Sequence, residues 1–152
     1  MRFHPSIPAA SAGSHQAFGE LVRRSIREGI TARITALKQQ YPRFQPQLTI
    51  VQAGSRSDSN AYVRMKAKAA EEVGIAYQHI SVPAEASVDE IVERVKKLNE
   101  DEKVSGVLVQ LPLGDHIKPE GERTVTEAIS PQKDVDGYVF YLHVSHLVLK
   151  PS

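Results

Sequence analysis

The chain has 152 residues, with 41% hydrophobic and 24% charged side chains, a formal net charge of +1 and no cysteine. That is enough chain for one ordinary domain with a real core, and the charge makes no global electrostatic case for a nucleic acid or an anionic membrane surface as partner. The lack of cysteine excludes a disulfide framework, a thiol nucleophile and a thiolate metal site, and fits a reducing compartment. No apolar run is long enough to span a bilayer.

Residues 1–18 contain no acidic residue, are rich in Ala, Ser and Pro, and carry a single arginine. They lack the apolar centre of a secretory signal and read as a flexible N-terminal extension, with a transit peptide poorly supported. From 19 to 38, Val22, Ile26, Ile30, Ile34 and Leu37 recur at helical spacing and predict an amphipathic helix. Pro42 and Pro46 bracket a loop. Residues 48–53 (LTIVQA) form a short apolar, β-branched run and predict a buried strand. Residues 54–58 (GSRSD) turn into a second helix over 57–73, with Ser57 or Asp58 as its cap and Gly74 closing it.

Residues 75–82 (IAYQHISV) predict a second strand, ended by Pro83. Ser87 and Glu90 have the capping-box spacing and open a third helix with Val88, Ile91, Val92, Val95 and Leu98 as its core stripe. Residues 104–111 (VSGVLVQL) predict a third strand, stopped by Pro112. A polar stretch, 114–123, leads to a short helix around 125–129. Pro131 opens the segment 131–137 (PQKDVDG), and 138–149 are apolar and β-prone. Apolar strands alternating with amphipathic helices predict a single α/β domain, three layers deep (α/β/α), around a mostly parallel sheet. Ligands of such sheets bind beyond the carboxyl ends of the strands. The turn after the first strand and Gln110 and Pro112 at the end of the third should therefore converge at one edge.

The second helix carries the most informative feature. Projected at about 100° per residue, Ser59, Tyr62, Lys66, Ala69, Ala70 and Val73 fall in one arc, with Arg64, Lys68, Glu71 and Glu72 opposite. Lys66 is thus aimed inward, one turn from Tyr62. A lysine amine taken out of water gives up its proton more readily and can do acid–base work near neutral pH. The structural alternative is a lysine that snorkels past the stripe. Gln110, at the end of an apolar strand, needs a partner for its amide, which Lys66, a ligand or loop backbone could supply. Asp134 and Asp136 flank Val135 and point the same way in an extended segment. Such a pair binds a cation or an amino-bearing heterocycle, or merely builds an Asx turn before Gly137. The six histidines are scattered and His143 and His146 lack a third ligand, so no metal site is expected. The chain has neither a P-loop nor a G-x-G-x-x-G fingerprint.

Taken in order, the blocks GSRSDS (54–59), YVRMK (62–66) with AAEEVGI (69–75), LNED (98–101), GVLVQLPL (106–113) and PQKDVDG (131–137) resemble the N-terminal catalytic domain of the methylenetetrahydrofolate dehydrogenase/cyclohydrolase family, from about residue 19 to 137. The resemblance implies that Lys66 is the catalytic lysine and that Gln110 beside it tunes its protonation. It implies that Tyr62 stacks on the aminobenzoyl part of a folate, and that Asp136 holds the amino-pyrimidine edge of the pterin. Ser59, Pro112 and Asp134 become substrate-binding positions. The implied chemistry is oxidation of 5,10-methylenetetrahydrofolate to 5,10-methenyltetrahydrofolate with NADP or NAD, and hydrolysis of the product to 10-formyltetrahydrofolate. The implied partner is a tetrahydrofolate-type small molecule, with the family's homodimer as a further expectation. The implied location is the cytoplasm, with the mitochondrion as the alternative.

The family's second, Rossmann domain has no counterpart up to Ser152, so the chain is expected to be the catalytic domain alone, and no nicotinamide cofactor is expected to bind it. Residues 138–152 read as a divergent tail, because Leu142 and Val144 stand where the family has Asn and Gly. The resemblance then implies apolar surface left exposed and a folate cleft open on one side. The alternative function is a non-catalytic folate-binding or interaction module.

Overall fold

The computed structural model of the chain describes residues 12–54 and 57–137. Its elements are α1 (Ala12–Gln40), β1 (Gln47–Ala53), α2 (Ser57–Glu72), β2 (Ala76–Val82), α3 (Val88–Glu100), β3 (Gly106–Gln110) and α4 (Pro119–Glu127). The strands are all parallel, in the order β2-β1-β3. The chain leaves β1 on one side through α2 and returns past it to β3 through α3. The two helices therefore lie on opposite faces, and the switch point falls between β1 and β3. In open α/β sheets the ligand crevice forms at that place, outside the carboxyl ends. The three-layer α/β expectation holds.

The period-2 alternation of the strands divides the core. Val51, Ala53, Val107 and Val109 join Ile91, Val95, Leu98 and Val125 on the α3–α4 face. Ile50 and Leu108 meet Val63 of α2 on the other, smaller face, with Leu48 and Tyr77 packed alongside. Burial, with Glu71 nearby, raises the pKa of the Tyr77 hydroxyl. Helix α3 begins with the predicted capping box, Ser87 Oγ accepting from Glu90 N while the Glu90 carboxylate accepts from Ser87 N. Gly74, at φ 87, reverses the chain after α2 in a conformation that a side chain would strain.

Several boundaries differ from expectation. Helix α1 starts at Ala12, so part of the expected flexible extension is helical: past Pro8 no proline stops the helix from propagating backwards. Only Ile34 of its predicted stripe is buried, and Val22, Ile26 and Ile30 are exposed because no described element covers them. Ser57 and Asp58 are already helical, so neither precedes the helix as a cap. The third strand is shorter than 104–111, because Val104 N is spent in a turn on Asp101 O. The polar stretch 114–123 contains the start of α4. Pro119 sits at the helix entrance, and an acidic first turn suits the dipole better than the apolar count suggested. Strand β2 lies at the sheet edge and is largely half-exposed rather than covered on both faces. The apolar run 138–149 lies outside the described residues. No helix among the described residues is long and apolar enough to cross a membrane.

Candidate functional site

Gln52 of β1 and Gln110 of β3 are register partners at the switch point, both on the face beneath α2. Helix α2 crosses above them. Its buried face is Ser59, Val63 and Ala70, continued by Val73 just past its end, with Lys66 half-buried between them. The Lys66 amine reaches down and donates to Gln110 Oε1 at 3.1 Å. Gln110 Nε2 in turn donates to Leu111 O at 3.0 Å, which fixes the amide with its oxygen toward the lysine. Of the readings open for Lys66, the structure shows the inward one: the amine meets a side chain of the sheet instead of snorkelling past it.

A cavity of about 170 Å³ opens along the outer edge of β3 and is bounded by Lys66, Gln110, Leu111, Thr126, Asp134 and Asp136. The carboxylates arrive there because the segment after Pro131 runs beside β3. Val107 N donates to Lys133 O at 2.7 Å, and Val107 and Asp134 form a parallel bridge. Asp134 Oδ1 accepts from Asp136 N and Gly137 N at 3.2 and 3.0 Å, so an Asx turn is present. That turn leaves the exposed Asp136 at the mouth of the same cavity. The site thus combines a lysine amine, an oriented amide and two acidic positions around a space open to solvent. Such a set can donate hydrogen bonds from the amine and hold a donor-rich heterocycle at the carboxylates.

Among the sequence candidates, Lys66, Gln110, Asp134 and Asp136 come together on the cavity. Tyr62, Ser59 and Pro112 do not line it. Tyr62 is 57% exposed on the rim of α2, Ser59 is buried under the first turn of that helix, and Pro112 is exposed after a cis Leu111–Pro112 bond.

Sequence reasoning passed over the groups that hold the site in place. Lys133 Nζ donates to Leu98 O and Asp101 O, at 2.9 and 2.7 Å, at the carboxyl end of α3. Asn99 Nδ2 donates to Ala128 O, and Asn99 Oδ1 accepts from Ser130 N. The LNED and KDVDG blocks are therefore one mechanical unit that clips the acidic segment to the sheet. Gly106 lets that segment approach, since a Cβ there would stand 2.5 Å from Val135 Cγ1. Val63 was missed because its neighbours on the helix wheel are polar, and Gln52 because it sits inside an apolar strand.

Residues 18–136 match the family model described as tetrahydrofolate dehydrogenase/cyclohydrolase, catalytic domain. The mitochondrial C-1-tetrahydrofolate synthase of Schizosaccharomyces pombe is 48% identical over 120 residues, which are 79% of this chain and 12% of that protein. The cytoplasmic C-1-tetrahydrofolate synthase of Drosophila melanogaster is 44% identical over 126 residues, 83% of this chain and 13% of that protein. Among solved structures, the bifunctional FolD methylenetetrahydrofolate dehydrogenase/cyclohydrolase of Campylobacter jejuni superposes with a TM-score of 0.74 at 33% identity, over 83% of this chain and 44% of that one. The Trypanosoma brucei enzyme, complexed with NADP cofactor and inhibitor, gives 0.73 at 31% identity, over 85% and 42%. The chain thus spans about an eighth of the curated relatives and under half of the solved ones. By both sequence and fold, the chain belongs to the tetrahydrofolate dehydrogenase/cyclohydrolase family, of which it carries the catalytic domain.

Proposed function

We propose that this chain binds a tetrahydrofolate at the Lys66 cavity and supplies the acid–base groups for hydrolysis of 5,10-methenyltetrahydrofolate to 10-formyltetrahydrofolate. The observation that carries the reading is the 3.1 Å contact of Lys66 Nζ with Gln110 Oε1, facing Asp134 and Asp136 across one cavity. The Lys66 amine donates one hydrogen to Gln110 and faces the space where a water molecule would sit; in its deprotonated form it offers that water a lone pair. That water adds to the methenyl carbon and passes its proton to Lys66. The tetrahedral adduct then expels N5, which takes that proton back from Lys66, while the adduct's hydroxyl loses its own proton to solvent as the C=O bond forms, and the formyl group stays on N10. Asp136 holds the amino-pyrimidine edge of the pterin, Asp134 shapes the turn that presents it, and Tyr62 stacks on the aminobenzoyl ring at the rim. Ser59 and Pro112 serve as walls of the folate site outside the cavity itself.

In the complete enzyme the same folate is oxidised with NADP or NAD as hydride acceptor. The described residues do not fit a dinucleotide. The β2–α3 junction fills its own helix N-terminus with the Ser87–Glu90 capping box, and the sequence has no G-x-G-x-x-G turn. No hydride step is assigned to this chain. Relatives named as cytoplasmic and as mitochondrial support the cytoplasm as its compartment, with the mitochondrion as the alternative. A homodimer belongs to the same reading of the complete enzyme.

The test is loss of the methenyltetrahydrofolate absorbance with the chain and with Lys66→Ala. Removal of the amine should bring hydrolysis to the buffer rate while folate binding, followed by calorimetry, persists. Folate binding without any Lys66-dependent hydrolysis would support the non-catalytic module instead. No folate binding at millimolar ligand would end both readings.

A further inference from the structure

One buried polar group beside the site has no part in the chemistry above. Gln52 is 1% exposed and sits next to Gln110, one strand away. Its Nε2 donates to Asn60 Oδ1 at 2.8 Å, and its Oε1 faces His79 Nε2 at 3.1 Å. An amide oxygen only accepts, so His79 Nε2 carries the hydrogen at this contact. The three side chains tie the first turn of α2 to β1 and to β2.

We propose that Gln52, gripping Asn60 and gripped by His79, is a positioning residue for the Lys66 amine. Helix α2 is then tied to the sheet by Asn60 on Gln52 of β1 and, six residues on, by Lys66 on Gln110 of β3. Between them Val63 rests on Ile50 and Leu108, a contact that is non-directional and tolerates a roll of the helix. A roll of about 10° moves an atom about 6 Å from the helix axis by about 1 Å. A misplacement of that size can cost about a hundredfold in turnover. The amide clamp resists the roll because it is short and directional and is centred on the buried Gln52, with Asn60 half-buried and His79 exposed around it. The geometry is independent of the reaction, whereas its catalytic consequence rests on the folate reading of Lys66.

The test separates position from stability and from chemistry. Gln52→Met keeps the volume and removes the polar atoms, and Asn60→Leu cuts the same clamp from the helix side. Both are made in the 152-residue chain. The accessibility of Lys66 is read as its acetylation rate with an N-hydroxysuccinimide ester by mass spectrometry, with the exposed Lys96 and Lys103 as internal references. The clamp predicts that Lys66 labels about threefold faster or more in both variants, while the references hold and both variants stay folded, with a lowered melting temperature because the buried hydrogen bond is lost. It also predicts that kcat for methenyltetrahydrofolate hydrolysis falls about tenfold or more with KM little changed. Wild-type labelling of Lys66 in both folded variants would overturn the proposal, as would faster labelling with unchanged kcat. Should the wild-type chain show no Lys66-dependent turnover, the folate reading fails by itself, and the labelling rates alone decide whether Gln52 positions the amine.

Discussion

Replacing Lys133 by methionine removes the ammonium that ties the acidic segment to α3 and leaves the side-chain volume nearly intact. In the native chain Nζ donates to two carbonyls at the carboxyl end of α3, Leu98 O at 2.9 Å and Asp101 O at 2.7 Å. A hydrogen bond to a charged group is worth about 1.5–3 kcal/mol, and a cation also suits the negative end of the helix dipole. Because Lys133 is only half-buried, solvent screening reduces the pair to about 2 kcal/mol in total. At about 2–4 °C per kcal/mol, the melting temperature should drop by about 4–8 °C. The backbone carbonyl of the same residue accepts from Val107 N and survives the substitution, so the path of Asp134 and Asp136 beside β3 is loosened through the lost side-chain anchor alone. The affinity for a non-reactive tetrahydrofolate analogue should fall about tenfold, which is about 1.4 kcal/mol. Differential scanning fluorimetry and titration calorimetry on the two proteins measure both effects. An unchanged melting temperature would refute the energetic reasoning. A lowered melting temperature with an unchanged Kd would refute the link between the α3 anchor and the site.

Gly106→Ala should destabilise the fold by about 1–3 kcal/mol, because the new Cβ meets the stiff Val135 side chain at 2.5 Å; urea midpoints read the loss, and faster amide exchange at Val107 locates it. The Glu90 carboxyl is held below its ordinary value of 4.5 by hydrogen bonds from the Ser87 backbone and hydroxyl. A lowered folded-state pKa gives stability that is complete above the unfolded value and disappears as the pH falls through the folded one. Ser87→Ala should therefore cost stability near neutral pH and progressively less below about pH 4, as urea melts across that range will show. Tyr62→Ala removes an exposed ring, so the melting temperature should hold while the folate analogue binds about fivefold more weakly, the equivalent of about 1 kcal/mol of ring contact. Equal affinity in the two proteins would take Tyr62 out of the site.

The parts of this molecule that a linear reading reaches are those where one residue decides its own neighbourhood. The Ser87–Glu90 box, the β-branched run of β1 and the turn at Gly74 each follow from local chemistry, and each stands where expected. Lys66 was legible for the same reason: a charge within a buried arc is anomalous on the helix itself. What escaped is long-range. Nothing near Lys133 in sequence reveals that its amine ends on carbonyls at Leu98 and Asp101, and nothing near Gln52 reveals that α2 and β2 deliver Asn60 and His79 to it. The exposed stripe of α1 fails in the opposite sense. Its periodicity is correct, yet periodicity states only that a face is apolar, and what covers the face is a property of the surrounding structure. The same asymmetry bears on the site. In the proposed function Lys66 supplies reactivity that the sequence announces, whereas the alignment of that reactivity would depend on side-chain amides and a lysine anchor whose partners lie 8 to 44 residues away. If that division is right, substitutions at the announced residue abolish turnover outright. Substitutions at the anchors instead leave a folded chain whose lysine is present but misaligned.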